Sequence, residues 1–327
     1  MSQAITNREL VVLDGGRETL HCTYHRPCGF EYGDGPDAVR QQRVGIVFLN
    51  SLFLPRAATG DSAVYWAEAL AQRGYPAFRI DLPGLGDSYA PLNMKLLDFI
   101  NAGGYESIAS AKIGELVDRF QLSGVVILGH CAGAVSAVFT GAAAKDCKGL
   151  LLLDPYFFLP PQIKKSKAWK RMVRWASESR FGGFLSGVYD RLKKLRLLMR
   201  GSAPPPNANF PLLQKWKEVA AKRGLPILLF KAPARKAAGT KPRIGEFDYL
   251  QHVQTLAGQF GKVTVQLIEG TDHSFANRSG RDAVRRSIED WLSFHFPFSA
   301  TDDAAKDALQ TVAVENNIHS EKHAPCI

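Results

Sequence analysis

The sequence predicts an α/β chain: a mostly parallel, doubly wound sheet with a helical cap inserted after the sixth strand. Three observations lead there. Short apolar runs such as Val44–Leu49 and Gly149–Leu153 alternate with segments of helical periodicity, as in strands buried on both faces and joined by crossover helices. One run, Gly124–Leu128, leads directly into Gly129-His130-Cys131-Ala132-Gly133 and then an Ala-rich helical stretch, Ala134–Ala144. Between residues 160 and 209 the alternation breaks off, and two basic amphipathic patterns take its place.

Taken in order, residues 9–25 alternate apolar and polar around Asp14-Gly15-Gly16, which predicts a β-hairpin. Residues 26–42 read as a loop, and Val44–Leu49 as the third strand. Asp61 then precedes a helical pattern over Ala63–Gln72 that stops at Gly74. Pro76–Ile80 is the fourth strand, a helix is expected over Ser107–Phe120, and Gly124–Leu128 is the fifth strand. Gly149–Leu153, ending at Asp154-Pro155, is the sixth. In the segment that follows, Trp169, Met172, Val173 and Ala176 recur at helical spacing, as do Leu185, Val188, Tyr189, Leu192 and Met199; Pro204-Pro205-Pro206 closes it. A strand at Pro226–Phe230, a helix near 247–260, a strand at Val263–Ile268 and a final helix over Arg281–Phe294 restore the alternation. The expected organisation is a core over 1–158 and 210–298, a basic helical cap over 159–209, and a polar, disordered tail over 299–327.

Composition narrows the function classes. No stretch approaches the ~20 apolar residues of a membrane span, and the first residues lack the apolar segment of a secretory signal. Five cysteines, an odd number without CxxC spacing, suit neither a disulfide framework nor a zinc site. A reduced, cytoplasmic setting follows as an expectation. No ligand cluster or Gly-rich nucleotide fingerprint follows a strand, so no metal and no cofactor is expected. The formal charge is +10, and the stretch Pro160–Arg200, with twelve Lys or Arg and two acids, accounts for all of it. A generally basic nucleic-acid binder would not confine its charge this way. A solvated helix face is one reading of the segment. An acidic partner, either coenzyme A phosphates or an acyl carrier protein, is another. A membrane surface is possible but less favoured.

The turn at 129–133 carries the chemistry. Gly at its first and fifth positions lets the chain bend so tightly that the central residue is held in a strained conformation with its side chain thrust outward. The backbone there lies at a helix N-terminus, which favours developing negative charge. That strand–turn–helix arrangement is a nucleophile elbow, and its central side chain is the thiol of Cys131.

With Asp81-Leu-Pro-Gly-Leu-Gly-Asp-Ser88, Leu153-Asp-Pro-Tyr156 and Gly270-Thr-Asp-His-Ser-Phe275, the elbow makes residues 44–291 resemble the α/β-hydrolase superfamily. Cys at the elbow centre with Leu-Asp-Pro-Tyr after the next strand resembles a bacterial subgroup linked with exopolysaccharide or secondary-metabolite functions. The resemblance implies that His273, in the loop after the last strand, is the base. It implies that the backbone N–H groups of Ala132 and of Ser51 or Leu52 form the oxyanion hole. His130, at the variable elbow position, is expected to pack inward. Asn50 is expected to brace the loop, and Asp81 and Asp87 to shape their own.

The acid is open at this point. Most of the superfamily supplies it just after the seventh strand, yet residues 231–245 contain no Asp or Glu. Asp154 stands where pancreatic-lipase-like members place theirs; Asp248 and Glu246 are the alternatives, and so is no acid at all. Cys–His systems tolerate a missing acid better than Ser–His ones, since a thiol ionises near ~8.5 and an alcohol far higher. The implied activity is acyl transfer on an ester or thioester through an acyl-Cys intermediate, as a thioesterase, acyltransferase or esterase in biosynthesis. The alternative is a catalytically silent subunit that binds an acyl carrier protein or another acidic partner.

Overall fold

The computed structural model describes residues 8–13, 19–28, 43–88, 90, 94–159, 204–233, 248–258 and 261–297. The turn expected at Asp14-Gly15-Gly16, the two expected cap helices and the expected tail lie outside the described residues.

Among the described residues eight strands form one sheet: β1 (Arg8–Leu13), β2 (Leu20–His25), β3 (Val44–Leu49), β4 (Ala77–Ile80), β5 (Gly124–His130), β6 (Cys147–Leu153), β7 (Ile227–Lys231) and β8 (Val263–Leu267). Their order is β1-β2-β4-β3-β5-β6-β7-β8. β1 and β2 form the antiparallel hairpin, β2 joins β4 antiparallel, and every pair from β4 onward is parallel. The helices are α1 (Ser62–Gln72), α2 (Leu96–Asn101), α3 (Glu106–Arg119), α4 (Ala132–Ala143), α5 (Phe210–Lys217), α6 (Tyr249–Ala257) and α7 (Arg278–His295).

Strand alternation divides the core into two layers. On β5, Val125 and Ile127 face one layer, Val126 and Leu128 the other. The first layer holds Ile113 and Leu116 of α3, Val135 and Val138 of α4 and Trp216 of α5. The second holds Trp66 and Leu70 of α1, with Val284, Ile288 and Leu292 of α7. The sheet is therefore wound on both faces, as its continuous apolar strands require. All four central strands β3, β5, β6 and β7 are buried over nearly their whole length.

Two helices depart from the sequence reading. α2 was unmarked because its six residues are too few for a periodic pattern. α5 begins directly after the Pro-rich loop and buries Leu212, Leu213 and Trp216; Asn209 caps it by accepting from the Leu212 N–H at 3.1 Å. A π-helical turn, Glu218–Lys222, continues it. β5 runs two residues further than expected, so the Gly129-His130 pair still belongs to the strand.

Candidate active site

Cys131 joins β5 to α4 with φ 53° and ψ −114°, a conformation rare for a residue with a side chain. The two flanking glycines explain how the bend fits. A Cβ on Gly129 would strike the backbone of Gly133 and come within 2.6 Å of the Ala134 nitrogen. A Cβ on Gly133 would lie 2.7 Å from the Leu49 carbonyl and 2.9 Å from that of Asn50. The end of β3 thus lies directly against the elbow. The Cys131 N–H donates to Leu153 O at 2.9 Å, and its own carbonyl accepts from Ala134 and Val135 at 3.1 and 3.3 Å. The half-buried thiol therefore stands at the N-terminus of α4, fixed to the last residue of β6.

The chain leaves β6 through Asp154, whose φ of 46° is left-handed; Asp tolerates that region better than most residues. Its N–H donates to Phe230 O at 2.8 Å, on neighbouring β7. The carboxylate, 12% exposed, is engaged at both oxygens. Oδ2 meets Nδ1 of His273 at 2.5 Å, and Oδ1 accepts from Nζ of Lys231, the last residue of β7.

His273 arrives on a loop that its neighbours hold tightly. Asp272 accepts from the Ser274 N–H at 2.9 Å, Phe275 is fully buried, and Asn277 both caps α7 and donates to Gly270 O at 2.7 Å. His130 adds a second anchor. Its Nε2 lies 2.6 Å from the His273 carbonyl, and since a carbonyl only accepts, that nitrogen carries the proton. Desolvation lowers the His130 ring to about 4, so it is neutral at pH 7. His130 packs edge-on to Phe275, with ring centroids 6.0 Å apart, and beside His273 at 5.0 Å.

The imidazole of His273 is drawn up to about 10, first by its hydrogen bond to Asp154 and then by the Cys131 side chain, with burial opposing. Burial pushes the Asp154 carboxyl upward, yet His273 and Lys231 together hold it below its ordinary value. At neutral pH the hydrogen-bonded pair is an anionic carboxylate and an imidazolium. The structure joins His273 to Asp154 by a hydrogen bond, and the Cys131 side chain is among the groups that draw the imidazole upward. Asp248 is instead the N-cap of α6, accepting from Gln251 N–H at 3.0 Å. Glu246 lies outside the described residues.

Ser51 and Leu52 follow β3, and Ala132 opens α4; Ser51 and Ala132 are buried. Asn50 braces the loop: its amide donates to Leu54 O at 3.0 Å and Asp81 Oδ1 at 3.1 Å, and its oxygen accepts from Leu82 N–H at 3.2 Å. Fully buried Asp81 also accepts from the N–H groups of Arg56 and Asp87 and pairs with the Arg56 guanidinium. Asp81 and Asp87, which bonds Arg56 at 2.6 Å, therefore shape the loop, as expected.

Two further side chains stand at the site. Lys231 ends β7, the strand after which most of the superfamily carries its acid. The Tyr156 hydroxyl is buried with no hydrogen-bond partner among the described residues, and both burial and the charge of Cys131 raise its ionisation point. No group of three metal-ligating side chains occurs among the described residues, and no described helix is long and apolar enough to cross a membrane.

Comparison with solved structures gives likenesses in fold. An esterase from Pyrococcus furiosus is 13% identical with a TM-score of 0.54, covering 89% of this chain and 92% of its own. A protein from Thermus thermophilus is 16% identical with a TM-score of 0.52, covering 88% and 98%. A dienelactone hydrolase from Anabaena variabilis is 14% identical with a TM-score of 0.51, covering 89% and 98%. Comparison with curated protein sequences gives no match. A profile of the alpha/beta hydrolase family matches residues 46–286, from the middle of β3 into α7. With the sheet order and the elbow geometry already described, this chain belongs to the alpha/beta hydrolase family.

Proposed function

We propose that the protein is an acyl-transfer enzyme that forms an acyl-Cys intermediate on an ester or thioester. The single observation that carries the reading is the bond between Asp154 and His273, whose imidazole is drawn upward by Asp154 and by the Cys131 side chain. His273 holds the proton of Cys131, and the thiolate attacks the carbonyl carbon. The resulting oxyanion is received by the N–H of Ala132 and that of Ser51 or Leu52, in the loop that packs on Gly133. As the tetrahedral species collapses, His273 gives its proton to the departing alcohol or thiol. The acyl group is then taken by water, or by an acceptor nucleophile, as His273 removes the incoming proton. Asp154 keeps the imidazole in the tautomer and orientation these steps need.

A thiolate suits thioester exchange, which favours a thioesterase or acyltransferase in biosynthesis. In this reading the basic stretch between Pro160 and Arg200 receives coenzyme A or an acyl carrier protein. The free thiols of Cys22, Cys28, Cys131 and Cys147 suit a reducing cytoplasm.

The test is incubation with p-nitrophenyl butyrate, followed by intact mass and peptide mapping. A nitrophenol burst with an acyl adduct on Cys131, both abolished in Cys131→Ala, is the expected result. No burst and no adduct, with iodoacetamide reacting at Cys131 no faster than with free cysteine, would instead indicate a silent binding subunit.

A further inference from the structure

We propose that Lys231 is a positioning residue for the acid: its ammonium fixes Oδ1 of Asp154 so that Oδ2 stays on Nδ1 of His273. The inference rests on the acyl-transfer reading and deepens it. The sequence carries a cation at the very strand end from which the family resemblance leads one to expect a carboxylate, and the structure shows what that cation holds.

Three strand ends converge on it. β6 and β7 pair in register through Leu153 and Phe230, so Asp154 and Lys231 are the next residues on adjacent strands. The Asp154 N–H donates to Phe230 O at 2.8 Å, and the Ile268 N–H, just past β8, donates to Lys231 O at 3.0 Å. The loop carrying His273 departs from there. Lys231 is thus bonded through its backbone to the strand that delivers the histidine, and through its side chain to the carboxylate that orients it.

A lone carboxylate in that position could rotate about χ2 and meet the imidazole with either oxygen or neither. With Nζ on Oδ1, rotation breaks two charge-assisted bonds at once. An ordinary surface ion pair is worth little because solvent competes for both partners. Here the carboxylate is 12% exposed and the lysine 34%, and the shared group is the one that aligns the base.

The charge also tunes the site. Among the described residues, the titratable groups around Asp154 and His273 are Cys131 from the elbow, His130 from β5, Lys231 from β7, Asp272 beside the histidine, and Tyr156 near the sulfur. Lys231 is the lysine among them. Removing a positive charge favours protonation of every group nearby, and loosening Asp154 weakens its hold on the imidazolium. Both effects move thiolate formation to higher pH. The apparent limb belongs to the coupled set and not to one residue.

The experiment measures the rate of iodoacetamide alkylation at Cys131 from pH 4 to 8 on the full chain, read by peptide mapping. Wild type, Lys231→Met, Lys231→Arg and His273→Gln are compared. The acid limb of Lys231→Met should move up by about half a pH unit, about a threefold loss of rate at a fixed pH on the limb. Lys231→Arg, which keeps the charge and a donor, should restore it. A limb left in place in Lys231→Met, or a rate lowered equally at all pH values, overturns the inference while leaving the acyl-transfer reading intact. If wild type and His273→Gln share one profile, the coupling of Cys131 to His273 fails, and the inference falls with it.

Discussion

Gly129→Ala gives the sharpest test of the elbow, because the atoms its methyl group would meet are all backbone. The Ala134 nitrogen would lie 2.6 Å from the new Cβ and the Gly133 carbonyl nearer still, where ordinary contact begins at 3.4 Å. No rotamer change relieves this; the start of α4 must withdraw from β5 by about 1 Å, and a displacement of that size at a reacting group costs ~100-fold in rate. Overpacking against movable side chains costs ~1–3 kcal/mol, so an obstruction of backbone lies at about 3 kcal/mol. With m near ~3 kcal/mol/M, the urea midpoint falls by about 1 M. Gly114→Ala is the matched control: a Cβ there meets nothing within 4 Å, inside α3. It should gain about 1 kcal/mol from helix propensity alone. Urea melts followed by circular dichroism, with the nitrophenol burst on p-nitrophenyl butyrate, measure both quantities. A Gly129→Ala protein with the wild-type midpoint and burst rate would refute the steric account of the turn.

Three further outcomes follow from the same contacts. Arg56→Met leaves the fully buried Asp81 carboxylate without its cation; stability should drop by about 3–5 kcal/mol, as for a broken buried pair, and Asp81→Asn in the same background should recover part of it. Iodoacetamide at pH 8 should modify Cys131 and exposed Cys28 but spare Cys22 and Cys147, whose thiols burial raises to about 12; labelling of Cys22 or Cys147 before global unfolding contradicts this. His273 is held above its unfolded value, so its contribution to stability is complete below about 6.5 and disappears as pH rises through about 10. The ring is 54% exposed, so solvent limits that contribution to about 1 kcal/mol. Calorimetry of wild type against His273→Gln should show a difference that shrinks from pH 6.5 to 10, and a difference that grows over that range contradicts it.

The parts of the fold legible in the sequence were those written in local pattern. Val44–Leu49 is a strand buried at all six positions, and the Gly129–Gly133 spacing marks a bend that only two bare Cα atoms allow. Even α5 left a trace, since Asn209 followed two residues later by Pro211 is a helix start; the Pro-rich loop just before it obscured the signal. Local pattern alone left the acid open between Asp154, Asp248 and Glu246, and only the resemblance pointed to Asp154: it and His273 are 119 positions apart, and nothing local distinguishes a carboxylate that meets an imidazole from one that caps a helix. Asp248 illustrates the second case. Lys231 was illegible for the same reason: its partner is on the next strand, and a lone lysine at a strand end has no signature.

The parallel half of the sheet explains why these residues meet at all. β5, β6, β7 and β8 are consecutive neighbours, and each delivers one group at or beyond its carboxyl end: Cys131, Asp154, Lys231 and His273. Strands stand ~4.8 Å apart, so the sulfur and the end of β8 are separated by roughly 15 Å, too far for a side chain to span. The loop after β8 closes that distance. It carries His273 back over β7 to Asp154, and His130, on the strand that leads into Cys131, binds the His273 carbonyl there. Asp154 follows β6, one strand from the sulfur and two from the loop's strand, and its left-handed turn presents the carboxylate to Lys231 and His273. An acid on β7 would have met the histidine from the other side and left the end of β6 free. In the proposed mechanism the acid stands one strand nearer the thiol, and Lys231, at the strand end it leaves, is the cation that binds it.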